Sequence, residues 1–406
     1  MNRILLGGVA VVALLAVGYY VTQSGTQTAA DGANDVKIGV VLGYTGPLES
    51  ITPTMAGSAE MAMAEINASG KFALGNLVSV RADSTCVDAA AATSAAERTV
   101  TADGIKAMVG ADCSGVTGAI LQNVARPNGV GMISPSATSP SLSTAEDDGL
   151  FFRTAPSDAR QGEIMADILT GKGIMRVAVT YTNNDYGKGL ADSFAAAYAA
   201  KGGTITLTAP HEDGKADYAA EVGALASAGG DLLVVAGYVD QGGKGMIQGS
   251  LDAGAFSKFY LVDGMYGDSL ISSIGAPLDG SFGALPGIDN EGSAKFKELA
   301  AAAGMDGTSA FAPESYDAAA LIAMAMAAAG STDSKEWTTK VMDLANAPGE
   351  PILPGELAKA LELIAAGTDI DYVGATGVEL VGPGESAGSY REYEIKAGKF
   401  ETVQYR

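Results

Sequence analysis

The chain has 406 residues, 47% of them hydrophobic and 18% charged, a composition that suits an ordinary globular protein with room for two core-forming domains. Its formal net charge of −22 repels phosphates, and no cluster of Lys and Arg reverses this locally, so nucleic acid is excluded as a partner.

The N-terminus places Arg3 before an apolar run from Ile4 to Val21, followed by a Ser, Thr, Gln and Ala tract that ends in Thr28-Ala29-Ala30. A short basic start, an apolar centre and a small-residue exit match a secretory signal over residues 1–30. The apolar run, about 18 residues, is also just long enough to cross a bilayer as a retained anchor. Both readings imply export. No cysteine lies in this segment, which closes the route of lipid attachment through an N-terminal Cys. The two cysteines, Cys86 and Cys113, then meet an oxidising compartment, where an even count favours a disulfide over a catalytic thiol.

From residue 36 short β-branched runs alternate with longer Ala-rich segments. VKIGVVLG (36–43) predicts a buried strand; MAGSAEMAMAEINASG (55–70) predicts a helix with Met55, Ala59, Ala62, Met63 and Ile66 on one face and Gly70 as its stop. Further strands follow at 77–84, 105–111 and 130–135, with helices between them. After FFRTAPSDARQG (151–162) the alternation restarts, with strands at 176–182, 231–237 and 258–264. This pattern predicts two parallel sheets, each covered on both faces. Gly/Pro-rich stretches near 287–290 and 374–384 break the pattern, so the chain is expected to cross between the sheets more than once. LIAMAMAAAG (321–330) is too short for a membrane span and reads as a buried helix. SYREYEIKAGKFETVQY at the end alternates like a hairpin of edge strands.

Catalytic and phosphate-binding signals are weak. His211 is the one histidine, so any Ser-His-Asp or Cys-His site has to recruit it, and a zinc site lacks its usual ligands once the cysteines pair. Gly243-Lys244 is followed by Gly245 rather than Ser or Thr, and Tyr238 stands where a P-loop begins with Gly.

Polar loops at strand ends carry the stronger signal. GADCSGVTGAIL (110–121) leads from a strand into a helix, where free N–H groups and the helix dipole favour an anion, and Ser114 and Thr117 add hydroxyls. Either hydroxyl also serves as a simple N-cap. ISPSATSPSLS (133–143) follows the neighbouring strand, and in a parallel sheet such loops converge on one crevice, bringing Ser136 and Thr138 toward Ser114. In the second half the strand ends carry Tyr186, Tyr238 and Asp263, a carboxylate beside phenols that suits an ammonium group. Asp263-Gly264 is equally a turn signature.

From about Lys37 onward the chain resembles the periplasmic leucine/isoleucine/valine-binding protein family, the solute-binding proteins of branched-chain amino acid ABC transporters. The resemblance is carried by KIGVVLGYTGPLES, STCVDAAAATSAAERTVTADGIKAMVGADCSGVT, MISPSATSPSLS, FFRTAPSDARQG, NDYGKGLA, FAPESYDAAALIAMA and GATGVELVGPGE, in that order. It implies an α/β, two-lobed type I periplasmic binding fold: each lobe is a parallel sheet flanked by helices, and three hinge crossings join the lobes. Residues 34–156 with 288–378 make lobe 1, and 157–287 with 379–406 make lobe 2. It also implies a Cys86–Cys113 disulfide, with Ser114, Ser136 and Thr138 on the ligand carboxylate. Tyr186 and Tyr238 become second-lobe contacts, and Asp263 the acid for the ammonium, with a shorter reach than the family's more usual Glu. The sequence departs at LESITPTM (48–55), where an aromatic contact is common and Glu49, Ser50 and Ile51 stand instead. Tyr44, Glu49 and Ser50 are the candidate side-chain pocket. The expected protein is a monomeric, non-enzymatic periplasmic binder of an amino acid, without cofactor or metal, that delivers its ligand to a membrane permease. A sensor module of the same fold, reporting an amino acid or amide to a signalling partner, is the alternative.

Overall fold

The computed structural model describes residues 34–406; segment 1–30, read above as a signal peptide or anchor, lies outside the described residues. The first run of strands is β1 (Asp35–Leu42), β2 (Asn76–Asp83), β3 (Ala107–Gly110), β4 (Gly131–Ser134) and β5 (Phe151–Pro156). The second is β6 (Arg176–Thr182), β7 (Thr204–His211), β8 (Leu233–Ala236), β9 (Phe259–Leu261) and β10 (Phe282–Pro286). Two short strands, β11 (Glu350–Ile352) and β12 (Ile370–Tyr372), pair with each other, and β13 (Leu380–Val381), β14 (Glu385–Ser386), β15 (Tyr390–Lys396) and β16 (Lys399–Tyr405) close the chain.

Two seven-stranded sheets result, ordered β13-β14-β5-β4-β3-β1-β2 and β16-β15-β10-β9-β8-β6-β7. Their centres are parallel: Val40 pairs with Val109 and Ile133 with Phe152 in the first, Val179 with Val234 and Val235 with Leu261 in the second. Strands β3, β4, β5, β8, β9 and β10 are buried along their whole length. That is why most of them read as apolar runs rather than as alternations, β5 with its buried Arg153 and Thr154 being the exception. The outer strands β2 and β7 are partly exposed.

The predicted helix face holds. Met55, Ala59, Ala62, Met63 and Ile66 are all buried in helix Thr52–Ser69, which ends at Gly70 in the left-handed region (φ 63°). That face packs on helix Ala312–Ala329, whose Leu321–Met326 stretch is buried throughout, so the Ala-rich segment is core. No helix among the described residues is long and apolar enough to cross a membrane. The C-terminal segment forms the expected hairpin: β15 and β16 turn at Ala397-Gly398, both with positive φ (49° and 69°), which suits the twist of a two-residue turn.

Sheet membership changes three times along the chain: between Pro156 and Arg176, after Pro286, and between Ser386 and Tyr390. The last change falls later than the 378/379 boundary read from the sequence. β13 and β14 extend the first sheet, with Glu385 opposite Arg153. The Gly/Pro-rich character of 374–384 marks short edge strands here instead of the crossing itself.

Candidate functional site

The loops that follow the carboxyl ends of β3 and β4 are held by buried hydrogen bonds. Ser134 Oγ donates to the Ala111 carbonyl (2.5 Å), Ser136 Oγ to the Asp112 carbonyl (3.0 Å), and the Ser139 N–H to Ser114 Oγ (3.1 Å). Arg153 in β5, 1% exposed, secures the second loop by donating to the carbonyls of Ala137 and Ser139 (2.9 Å each) while pairing with Glu385 (2.5 Å). Cys86 and Cys113 form the disulfide, anchoring the turn just ahead of helix Ser114–Ile120. Asp112, on the same turn, accepts from the Gly43 N–H (2.9 Å) and from Ser84 Oγ (2.8 Å), and burial pushes its carboxyl above the usual range.

Across from these loops the second half presents a built polar cluster. Tyr186 Oη donates to Asp263 Oδ1 (2.6 Å), Gln161 Nε2 donates to the same oxygen (3.1 Å), and the Gly264 N–H donates to Tyr186 Oη (3.3 Å). The rings of Tyr186 and Tyr238 stack with centroids 5.1 Å apart, and Asn184 Nδ2 donates to Tyr238 Oη (3.4 Å). Gly264 allows this approach: a Cβ there would stand 2.6 Å from the Gly237 carbonyl and 2.9 Å from Tyr186 Oη. Burial raises the Asp263 carboxyl, opposed by the Tyr186 and Gln161 hydrogen bonds, and pushes the Tyr186 hydroxyl far above its ordinary range.

The two sides share one narrow gap of about 10 Å³, whose walls include Asp112, Ser114, Ser136, Tyr186, Tyr238 and Asp263. Five of the six residues read as ligand contacts therefore meet in one place. Thr138, the sixth, is fully buried behind the wall with no hydrogen-bond partner for its hydroxyl. The halves touch at the rim: the Asp240 N–H donates to the Pro47 carbonyl (3.1 Å), the Ser50 N–H to Asp240 Oδ2 (2.9 Å), and Ser139 Oγ to the Asp185 carbonyl (3.1 Å).

The candidate side-chain pocket falls elsewhere. Tyr44 donates to the Val40 carbonyl (3.2 Å) under the Arg81 guanidinium, Glu49 is exposed, and Ser50 serves the rim. In their place Leu48 and Phe311 line the gap. Leu48 directly precedes Glu49 and Ser50, and Phe311 opens FAPESYD, far from any strand end. Phe311 stands in the left-handed region (φ 59°), unusual for a bulky residue, at the turn that begins helix Ala312–Ala329. His211 is buried outside the gap walls, its Nδ1 2.8 Å from Thr180 Oγ1, and burial lowers its pKa to about 4. No nucleophile and base meet there.

A family model described as "Periplasmic binding protein" matches residues 35–349. A "Leu/Ile/Val-binding protein homolog 1" of Brucella melitensis is 30% identical over 372 residues, 87% of this chain and 95% of that protein. A "Leu/Ile/Val-binding protein homolog 3" of the same organism is 37% identical over 214 residues, a match covering 52% of this chain and just over half (56%) of that relative. Among solved structures, the branched-chain amino acid transporter substrate-binding protein LivJ of Streptococcus pneumoniae, in complex with isoleucine, superposes with a TM-score of 0.74 at 25% identity, covering 91% of this chain and 99% of that one.

Proposed function

The chain belongs to the periplasmic binding protein family, and on that premise we propose that it is the non-enzymatic, exported solute-binding component of an ABC importer that captures a small amino acid with an aliphatic side chain and hands it to a membrane permease. One observation carries this reading: hydroxyl-bearing loops of one half and a carboxyl flanked by phenols of the other face a single gap. Opposite ends of a zwitterion are the natural occupants of such walls.

The ligand carboxylate lies at the start of helix Ser114–Ile120, where the N-terminal N–H groups and the Ser114 hydroxyl, which accepts from the Ser139 N–H and keeps its own proton, supply donors beside Ser136. Its ammonium meets Asp263 and the faces of Tyr186 and Tyr238, through charge-assisted hydrogen bonding and cation–π attraction. Leu48 and Phe311 offer an apolar surface to the side chain, which favours an aliphatic ligand over a basic one, and the exposed Glu49 gives a basic ligand no partner. The two halves close over the ligand by hinge motion at the three changes of sheet, expelling water and strengthening each polar contact. The relatives named for Leu, Ile and Val and the isoleucine-bound LivJ support the choice of ligand class.

A thermal-shift screen tests this. A ligand at a hundred times its Kd stabilises the native state by about 2.7 kcal/mol, so leucine, isoleucine or valine should raise the melting temperature clearly. Equal stabilisation by the matching aliphatic acids, which lack the ammonium, would remove Asp263 from the reading.

A further inference from the structure

Behind Asp263 lies a knot of buried polar atoms without partners. Both carboxylate oxygens of Asp158, Gln161 Oε1, Thr138 Oγ1 and Tyr390 Oη have no hydrogen-bond partner, and all four residues are 0% exposed. Such atoms are costly to bury unpaired. Asp158 opens helix Asp158–Gly171 at the first change of sheet, Gln161 lies one turn on and donates to Asp263, and Tyr390 begins β15 at the last change. The knot therefore joins the wall of the gap to two of the three crossings.

Asp158 lies one helical turn from Gln161, which touches Asp263; burial, and after it the charge of Asp263, disfavours ionisation of Asp158, and burial also raises Asp263. The Thr138 hydroxyl and the Arg153 charge oppose this at Asp158 only in part. Tyr186, Tyr390, Tyr260 and Tyr393 are neutral phenols. Arg153 is committed to Glu385 and to backbone carbonyls, and Arg160 is exposed and paired with Glu163 (3.1 Å). Asp112, the other buried acid of the gap, differs in having a donor on each oxygen. Tyr186 and Gln161 hold Asp263 as the charged member, which leaves the proton on Asp158.

We propose that Asp158 carries a proton while the gap is empty, and that arrival of the ligand ammonium beside Asp263 expels this proton from Asp158 to solvent, so that capture is coupled to proton release. The inference rests on the reading of the gap as an amino-acid site. Asp158 acts through Asp263 and is a positioning residue. Release on binding means that the bound form holds its protons less tightly than the free form, so affinity rises with pH, by at most tenfold per pH unit for one proton.

Calorimetric titration with L-leucine in phosphate and in Tris at matched pH measures the proton directly, because the two buffers differ in ionisation heat. The expected result is a buffer-dependent heat corresponding to release of up to one proton, and its disappearance in Asp158→Asn with binding retained. Ligand-difference infrared spectra of the wild type with labelled aspartate should show loss of a protonated carboxyl band, which keeps the test open if the variant does not fold. Equal heats in the two buffers, no loss of that band, or a release that persists in Asp158→Asn and so belongs to Asp112, would each overturn the proposal. No heat and no stabilisation with any amino acid would instead overturn the reading of the site.

Discussion

Asp263 joins the polar groups of the second half to the gap, and its neighbours Tyr186 and Gln161 are arranged around it. On the proposed function, replacing it with Ala leaves the ligand ammonium desolvated and unpaired, at a cost of about 2–5 kcal/mol. Binding in Asp263→Ala should fall below calorimetric detection while circular dichroism stays native; near-wild-type affinity would disprove the role. A second residue prediction concerns Glu314, buried at the start of helix Ala312–Ala329 with Oε2 unpartnered, where burial raises its carboxyl pKa from 4.5 to about 8. Between those values the native state keeps a proton that the unfolded chain has lost. Stability therefore falls as pH rises through that window, at up to about 1.4 kcal/mol per pH unit. Asp317, raised to about 6, acts in the same direction at lower pH. Denaturation midpoints of Glu314→Gln should decline less steeply than those of the wild type between pH 6 and 8, and parallel curves would refute the assignment. Ser114, Ser136, Tyr186, Tyr238 and Asp263 were legible because short polar residues and phenols at strand ends are conspicuous between apolar runs. Leu48 and Phe311 were not, since an apolar residue that lines a gap looks like one that fills a core.

At the level of elements, the carboxyl ends of parallel strands gather the polar loops, and three devices hold them. One is the Cys86–Cys113 disulfide, which closes a loop of sequence separation 27. In the chain-entropy account a loop of that size contributes about 3.5 kcal/mol by restricting the unfolded chain. Replacing both cysteines with Ala should lower chemical-denaturation stability by roughly that amount, and a loss close to zero would show that the unfolded chain is already constrained there. The other two devices are Arg153 and the rim contacts. Arg153 ties β5 to the loop after β4 and, through Glu385, to β14. The sequence shows an Arg in FFRTAP but not its service, because the partners lie up to 232 residues away. The β15–β16 hairpin was readable from alternation alone, whereas β13 and β14 are two residues each and leave no periodic trace.

For the whole molecule, the proposed closure draws on the hydrogen bonds between the halves at the rim of the gap. Asp240 accepts from the Ser50 N–H and from Ser269 Oγ (2.6 Å), and Ser50 Oγ lies 3.2 Å from Ser269 Oγ. Removing the carboxylate loosens this rim without touching the gap, and one lost hydrogen bond is worth about 0.5–1.5 kcal/mol. Asp240→Ala should therefore weaken leucine binding between about twofold and tenfold, chiefly through faster release, and enlarge the radius of gyration of the free protein in small-angle scattering. Unchanged scattering together with unchanged affinity would show that the rim does not hold the closed form.

The sequence alone determined the α/β class, the two parallel sheets and the polar loops at their strand ends. Those features are written in local periodicity, in turn residues and in the depletion of catalytic types, each readable within a window of some ten residues. Tertiary structure alone decided which loops share a gap, that Leu48 and Phe311 line it in place of Tyr44, Glu49 and Ser50, and that Asp158 is buried unpaired behind Asp263. The physical reason is that burial and charge coupling are set by neighbours distant in the chain, such as Asp158 and Asp263, and no local pattern records which distant residue will be brought within reach.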